Sequence, residues 1–148
     1  MSKAPVIPVE TTHLVRDSCL CLHVQRAARA LARRFDDALR PVGLTSGQFS
    51  LMMSLNRPVP PTMGVVAEVL AMDRTTLTAA LKPLVGRGLV AVSVDPGDRR
   101  ARRLSLTARG MGLLARAIPV WERTHASTED QLAAGRPDRL RRDLLALS

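Results

Sequence analysis

The chain has 148 residues, a formal charge of +9 and a sequence pI near 11.4. That length suits one domain. A hydrophobic content of 46% excludes a disordered tail protein, and no apolar run approaches the roughly 20 residues of a membrane span. No charged segment followed by an apolar one opens the chain, so no secretory signal is read. Two cysteines, Cys19 and Cys21, are too few for a disulfide framework, and the expectation is a cytoplasmic protein with no membrane partner. Position says more about the charge than number does. Residues 1–73 carry 8 basic and 6 acidic side chains, residues 74–109 carry 8 and 2, and residues 110–148 carry 6 and 5. A 36-residue window therefore holds +6 of the +9. A polyanion is the natural partner of such a patch, double-stranded DNA being the commonest soluble one; a solvated charged face is the plainer alternative.

In chain order, residues 1–12 hold two prolines and no periodic pattern, and read as a loose arm. From His13 the pattern is helical: Leu20, Val24, Ala27, Leu31, Phe35 and Leu39 recur at spacings of three and four, and Pro41 and Gly43 end the run. Thr45-Ser46-Gly47-Gln48 is a capping box, opening a helix with Phe49, Met52, Met53 and Leu55. The proline-rich Arg57–Pro61 excludes helix and central strand. Thr62 caps a short helix, Ala71-Met72 is a tight turn, and Asp73 caps a helix from Arg74 to about Arg87, ended by Gly88. Pro83 inside this helix predicts a kink. The period then changes to two: Val90, Val92 and Val94 mark one strand and Arg102 to Leu106 a second. Between them Asp95-Pro96-Gly97-Asp98 predicts a type II turn. Thr107 caps a helix to about Leu132, bent at Pro119, and Pro137 starts a last helix carrying Leu140, Leu144 and Leu147.

Four helices, a hairpin and two helices, with the basic window on the fourth helix and the hairpin, make a mainly α chain with a small β-wing. This is the layout of a winged helix-turn-helix. On the reader helix, Leu77, Leu81 and Leu84 form the core stripe. Arg74, Thr75, Thr76, Thr78, Ala79 and Lys82 leave a face of small hydroxyls and cations able to reach phosphates and base edges. At the wing tip, Arg99, Arg100, Arg102 and Arg103 are four arginines in five residues with no expected core role, suited to a narrow minor groove. Asp98 would repel phosphate there, so its expected role is to pair with a nearby arginine and hold the wing's shape.

Five segments, taken together and in order, carry a resemblance. They are Gly43–Phe49, Met72–Thr78, Leu84–Val90, Asp95–Arg100 and Leu104–Gly110. From about His13 to the C-terminus the chain resembles the MarR family of bacterial transcriptional regulators. The resemblance implies a single MarR-type domain over 1–148, with dimerisation helices at 13–40 and 107–148 flanking a DNA-binding lobe at 45–106. It implies a homodimer on a pseudo-palindromic operator. The usual role is that of a repressor, in stress responses among others, released by a small phenolic or lipophilic ligand or by an oxidant. It also puts the family's Asp-x-Arg wing pattern on Asp98 and Arg100. The sequence agrees on dimerisation, because the first and last helices carry more apolar face than one small lobe covers; a monomeric bundle is the alternative. An effector pocket is expected near Phe49, Met52, Met53 and Trp121, residues that core packing would also explain.

Counting back from Thr45, Cys21 falls on the reactive cysteine of the family's organic-hydroperoxide-sensing branch. The chain has no tyrosine to hold a thiolate there. Cys21 is thus either a sensor or a small apolar residue. Cys19 and His23 share a helix face but lack the third and fourth ligands a metal needs, with His13 and His125 far off in sequence, so neither metal nor other cofactor is expected. No phosphate-cradling glycine loop, nucleophile elbow or zinc-protease motif points to an enzyme. A sequence-neutral architectural DNA-binding protein remains the other reading, separable by specificity.

Overall fold

The computed structural model describes residues 4–148. Two compact units divide it between Arg34 and Phe35. Helix starts earlier than the proline-rich arm suggests: α1 spans Val9–Ser18, directly after Pro8, with Glu10 in its first turn. A fixed proline φ suits the residue before a helix, and an acid near the N-terminus favours the helix dipole. The expected single helix is two. Cys19, with ψ 109°, leaves the helical region, and α2 then runs Leu20–Leu39. The Cys19 thiol accepts the Leu22 amide at 3.5 Å, standing where a capping oxygen would.

In the second unit, a 3₁₀ turn at Arg40–Val42 ends on Gly43, whose φ of +77° only glycine adopts readily. Then come α3 (Ser46–Ser54), α4 (Met63–Val69), α5 (Arg74–Gly86), strands β1 (Val90–Val94) and β2 (Arg102–Leu106), α6 (Ala108–Glu129) and α7 (Arg136–Leu145). The caps are those the sequence names. Thr45 and Gln48 close a full capping box, and Thr62, Asp73 and Thr107 each accept an amide of the turn that follows. Both α5 and α6 run on through Pro83 and Pro119.

Leu39, Leu51, Met52, Val66, Leu77, Leu84, Leu89, Leu104 and Leu114 are fully buried and form the centre of one core, to which α5 contributes its predicted stripe. Helix α6 approaches the residue before β1 at Gly110, where an added Cβ would lie 2.0 Å from the Leu89 carbonyl oxygen. The strands pair antiparallel, Val90 with Leu106 and Val92 with Leu104. Only Val90 of β1 is buried; Val92 and Val94 stay exposed. The proline-rich segment braces the hairpin: the Leu104 amide donates to Pro61 at 2.9 Å, and Thr62 bridges to Arg103. By contrast α1 and α7 bury no residue and α2 buries only Leu39. Among the described residues no helix is long and apolar enough to cross a membrane.

Candidate nucleic-acid interface

The helix α5 starts on a built cap. The Asp73 carboxylate accepts the Thr76 amide at 2.7 Å and the Thr76 hydroxyl at 2.9 Å, and these bonds hold its pKa below the ordinary carboxylate value. The Thr78 hydroxyl donates to the Arg74 carbonyl at 2.8 Å. Both hydroxyl protons are thus spent inside the helix, which leaves their oxygens as acceptors. Of the predicted reader residues, Arg74, Thr75, Thr78 and Lys82 line one open groove of about 810 Å³ together with Arg102 of β2. Its floor is apolar: Met63, Ala79, Leu81, Val85 and Val92. Thr76 is exposed but does not line it.

The floor residues Met63, Val85 and Val92 escape the sequence reading. A valine in a strand or late in a helix is ordinarily assigned to the core, and only the packing of α5 beside β1 leaves these at a surface. Arg99 and Arg100 are exposed at the wing tip, apart from the groove. The Arg102 guanidinium folds back onto the tip, donating to the Arg99 carbonyl at 3.0 Å.

The tip differs from its prediction in two ways. Gly97 does not take the positive φ that a type II turn requires. Instead the Asp95 carboxylate accepts the Gly97 and Asp98 amides at 2.7 and 3.1 Å, and the Ala101 amide closes a second turn on the Asp98 carbonyl at 3.0 Å. The pairing role expected of Asp98 belongs to Asp95. Asp98 accepts the Arg100 backbone amide at 2.9 Å, while Asp95, 8% exposed, pairs with Arg103. Arg103 also donates to the Pro60 carbonyl at 2.9 Å, so this arginine is an internal strut rather than a free tip cation. The Gly97 amide first, and then Arg103, hold the Asp95 carboxyl below its ordinary range.

The residues expected around an effector sit differently. Phe49 and Met52 belong to the core, Met53 is 37% exposed, and Trp121 stacks between Phe49 at 6.1 Å and His125 at 4.7 Å between ring centres. None of the four lines the α5 groove. On α2, Cys21 is exposed and its sulfur accepts the Gln25 side-chain amide at 3.2 Å. His23 bonds back to the Cys19 carbonyl at 2.8 Å, not to the thiol.

Comparison with known proteins adds a frame to this geometry. The model of the MarR family matches residues 44–101. The chain is 37% identical to the Mycobacterium tuberculosis transcriptional regulator MosR, seen in complex with DNA, over 88% of this chain and 93% of that one, with a TM-score of 0.80. A second solved structure, the transcriptional repressor CouR bound to a 23-mer DNA duplex, is 29% identical, covers 90% of this chain and 94% of that one, and gives a TM-score of 0.79. The HTH-type transcriptional repressor NicR of Pseudomonas putida is 34% identical over 92 residues, 62% of this chain. That match spans 58% of NicR's own length.

Proposed function

Because the chain belongs to the MarR family, we propose that it is a DNA-binding transcriptional regulator, a homodimeric repressor that leaves a pseudo-palindromic operator when a small lipophilic or phenolic ligand binds. One observation carries the DNA reading: the α5 groove is lined by Arg74, Lys82 and Arg102 and by no carboxylate. The duplex phosphates meet this cationic rim, while Thr75, Thr78 and Ala79 are short enough to let base edges and thymine methyls approach. Arg99 and Arg100 reach the adjoining minor groove from the wing. Dimerisation is supported by the uncovered leucines of α7, with Leu140 43% and Leu144 41% exposed. Two-fold symmetry then sets the two α5 helices about 34 Å apart, one turn of DNA.

Selection from a random duplex pool, followed by titration of the recovered sequence, tests the reading. Arg100→Ala is expected to weaken binding about tenfold, with the salt slope reduced by about one, while the protein stays dimeric. Equal and weak affinity for every duplex at ~150 mM salt would favour an architectural protein instead. Wild-type affinity in Arg100→Ala would remove the wing from the interface.

A second reading has its own observation. The Cys21 thiol is exposed, within reach of an oxidant, and accepts a hydrogen bond from the Gln25 side-chain amide. Oxidant-driven release that persists in Cys21→Ser would exclude it.

A further inference from the structure

The eight basic residues of 74–109 do not serve one surface. Arg74, Lys82 and Arg102 line the α5 groove, Arg99 and Arg100 stand at the tip, and Arg103 is taken up by Asp95. The remaining two, Arg87 and Arg109, line a separate cavity of about 370 Å³ together with Arg116, Val42, Leu89 and Leu113. It lies at the root of the hairpin, where Leu89 precedes β1. Four residue steps of strand separate β1's two ends, so the wing tip is at least about 13 Å away.

Three guanidiniums and no carboxylate line this cavity. Three like charges around one cavity make its potential positive, which attracts an anion. The cavity is also organised. Arg87 is fixed at one side, its Nη1 donating to the Gly43 carbonyl at 2.9 Å, so its other N–H groups are held in place. Arg109, Leu113 and Arg116 follow at i, i+4 and i+7, one face of α6, with the two arginines about 10 Å apart along the axis. Between them stands Gly112, where an added Cβ would meet nothing within 4 Å. The space between the arginines is therefore open, and its walls at Val42, Leu89 and Leu113 are apolar.

We propose that this cavity binds a small organic oxyanion, a carboxylate or phosphate on a compact apolar body. The oxyanion sits in the fork of Arg87 with Arg109 or Arg116, and the body rests on Leu89 and Leu113. Arginine pairs such groups bidentately, and the volume is within the range of small-molecule sites. The site is independent of the DNA reading, because it shares no residue with the α5 groove.

Calorimetric titration of the full chain with benzoate, phenyl phosphate and inorganic phosphate, at fixed ionic strength, tests it, with benzyl alcohol as the neutral control. Saturable binding of benzoate or phenyl phosphate is expected, tighter than of inorganic phosphate, with none of the alcohol; the better of the first two identifies the oxyanion. Arg109→Gln and Arg116→Gln should each weaken it at least tenfold. Gly112→Leu, which fills the open floor on an exposed helix position, should abolish it at an unchanged melting temperature. Lys82→Gln and Arg100→Gln should leave it as in the wild type. Binding that survives both Arg109→Gln and Arg116→Gln, or that is lost in Lys82→Gln, overturns the proposal, as does the absence of saturable binding. Loss of duplex affinity in Arg116→Gln with no probe bound would make the cavity a backbone contact for DNA and overturn it equally.

Discussion

The lobe between Leu39 and Ala117 and the helices α1 and α7 all carry large apolar side chains, and these end in opposite states. The lobe closes on itself: Leu39, Leu51, Leu77, Leu84, Leu104 and Leu114 are each at most 1% exposed. On α1 and α7 no residue is buried, and Leu14, Val15, Leu140 and Leu145 all stay exposed. An amphipathic helix is stable only where its apolar stripe is covered. The lobe supplies its own cover; each of these helices calls for a surface elsewhere, which the proposed second copy would provide.

The largest expected effect tests the closed side. Gly110→Ala drives a Cβ against the Leu89 carbonyl, and neither backbone can yield without moving α6 away from Leu89. A loss of about 3 kcal/mol is expected in denaturant unfolding. A loss below about 1 kcal/mol would mean that α6 does not pack there. The open side is tested by Leu140→Asp with Leu144→Asp. Light scattering should then report a monomer in place of a dimer, with the lobe still folded by circular dichroism. A dimer that survives both charges would take α7 out of the interface.

Charge sharpens the comparison inside the lobe. The Asp95 carboxyl titrates lower in the fold than in an unfolded chain. Its contribution is therefore present above the unfolded value, about 3.9, and is lost as the pH falls through the folded one. Asp95→Asn keeps an acceptor for the Gly97 and Asp98 amides but leaves Arg103 without its counter-charge. The variant should melt lower than wild type at pH 7, and the difference should close as the pH falls below about 4. A difference unchanged down to pH 2 would show that the charge is not what holds the wing.

These residues also show what a sequence makes legible. Thr45, Thr62, Asp73 and Thr107 cap helices because the oxygen and the amide lie within three residues, and such a contact is written locally. Arg100 and Arg103 look alike as text. One is free at a tip and the other a strut, because strand register sets Arg103 across from Ser93, beside Asp95 and the Pro60 carbonyl 43 residues earlier. The same distant pull displaced the expected turn: Asp95, held by Arg103, gathers the Gly97 and Asp98 amides, and glycine's positive φ is not needed. The break at Cys19 was illegible for another reason, since a thiol is a poor cap and gives no compositional sign. Residues 87, 109 and 116 line one cavity only through the packing of α6 beside Leu89, which no local pattern encodes.

The smallest expected effect lies in the turn that sets α4 against α5. Among the described residues Ala71 is the one non-glycine with a positive φ, +50°. It stands where α4 ends in a Schellman motif: the Met72 amide donates to Ala67 at 2.8 Å and the Ala71 amide to Glu68 at 3.1 Å. That position ordinarily takes glycine, since a Cβ there meets the following carbonyl at a cost of about 1 kcal/mol. Ala71→Gly removes the strain and adds back some unfolded-chain entropy, for a net gain of about 0.5 kcal/mol. Ala71→Val, branched at Cβ, should lose more than that. Melting temperatures of the two variants should fall on either side of the wild type. If Ala71→Gly instead lowers stability, the turn is not strained at this residue, and the angle between the two helices is held by Val66, Leu77 and the rest of the closed core alone.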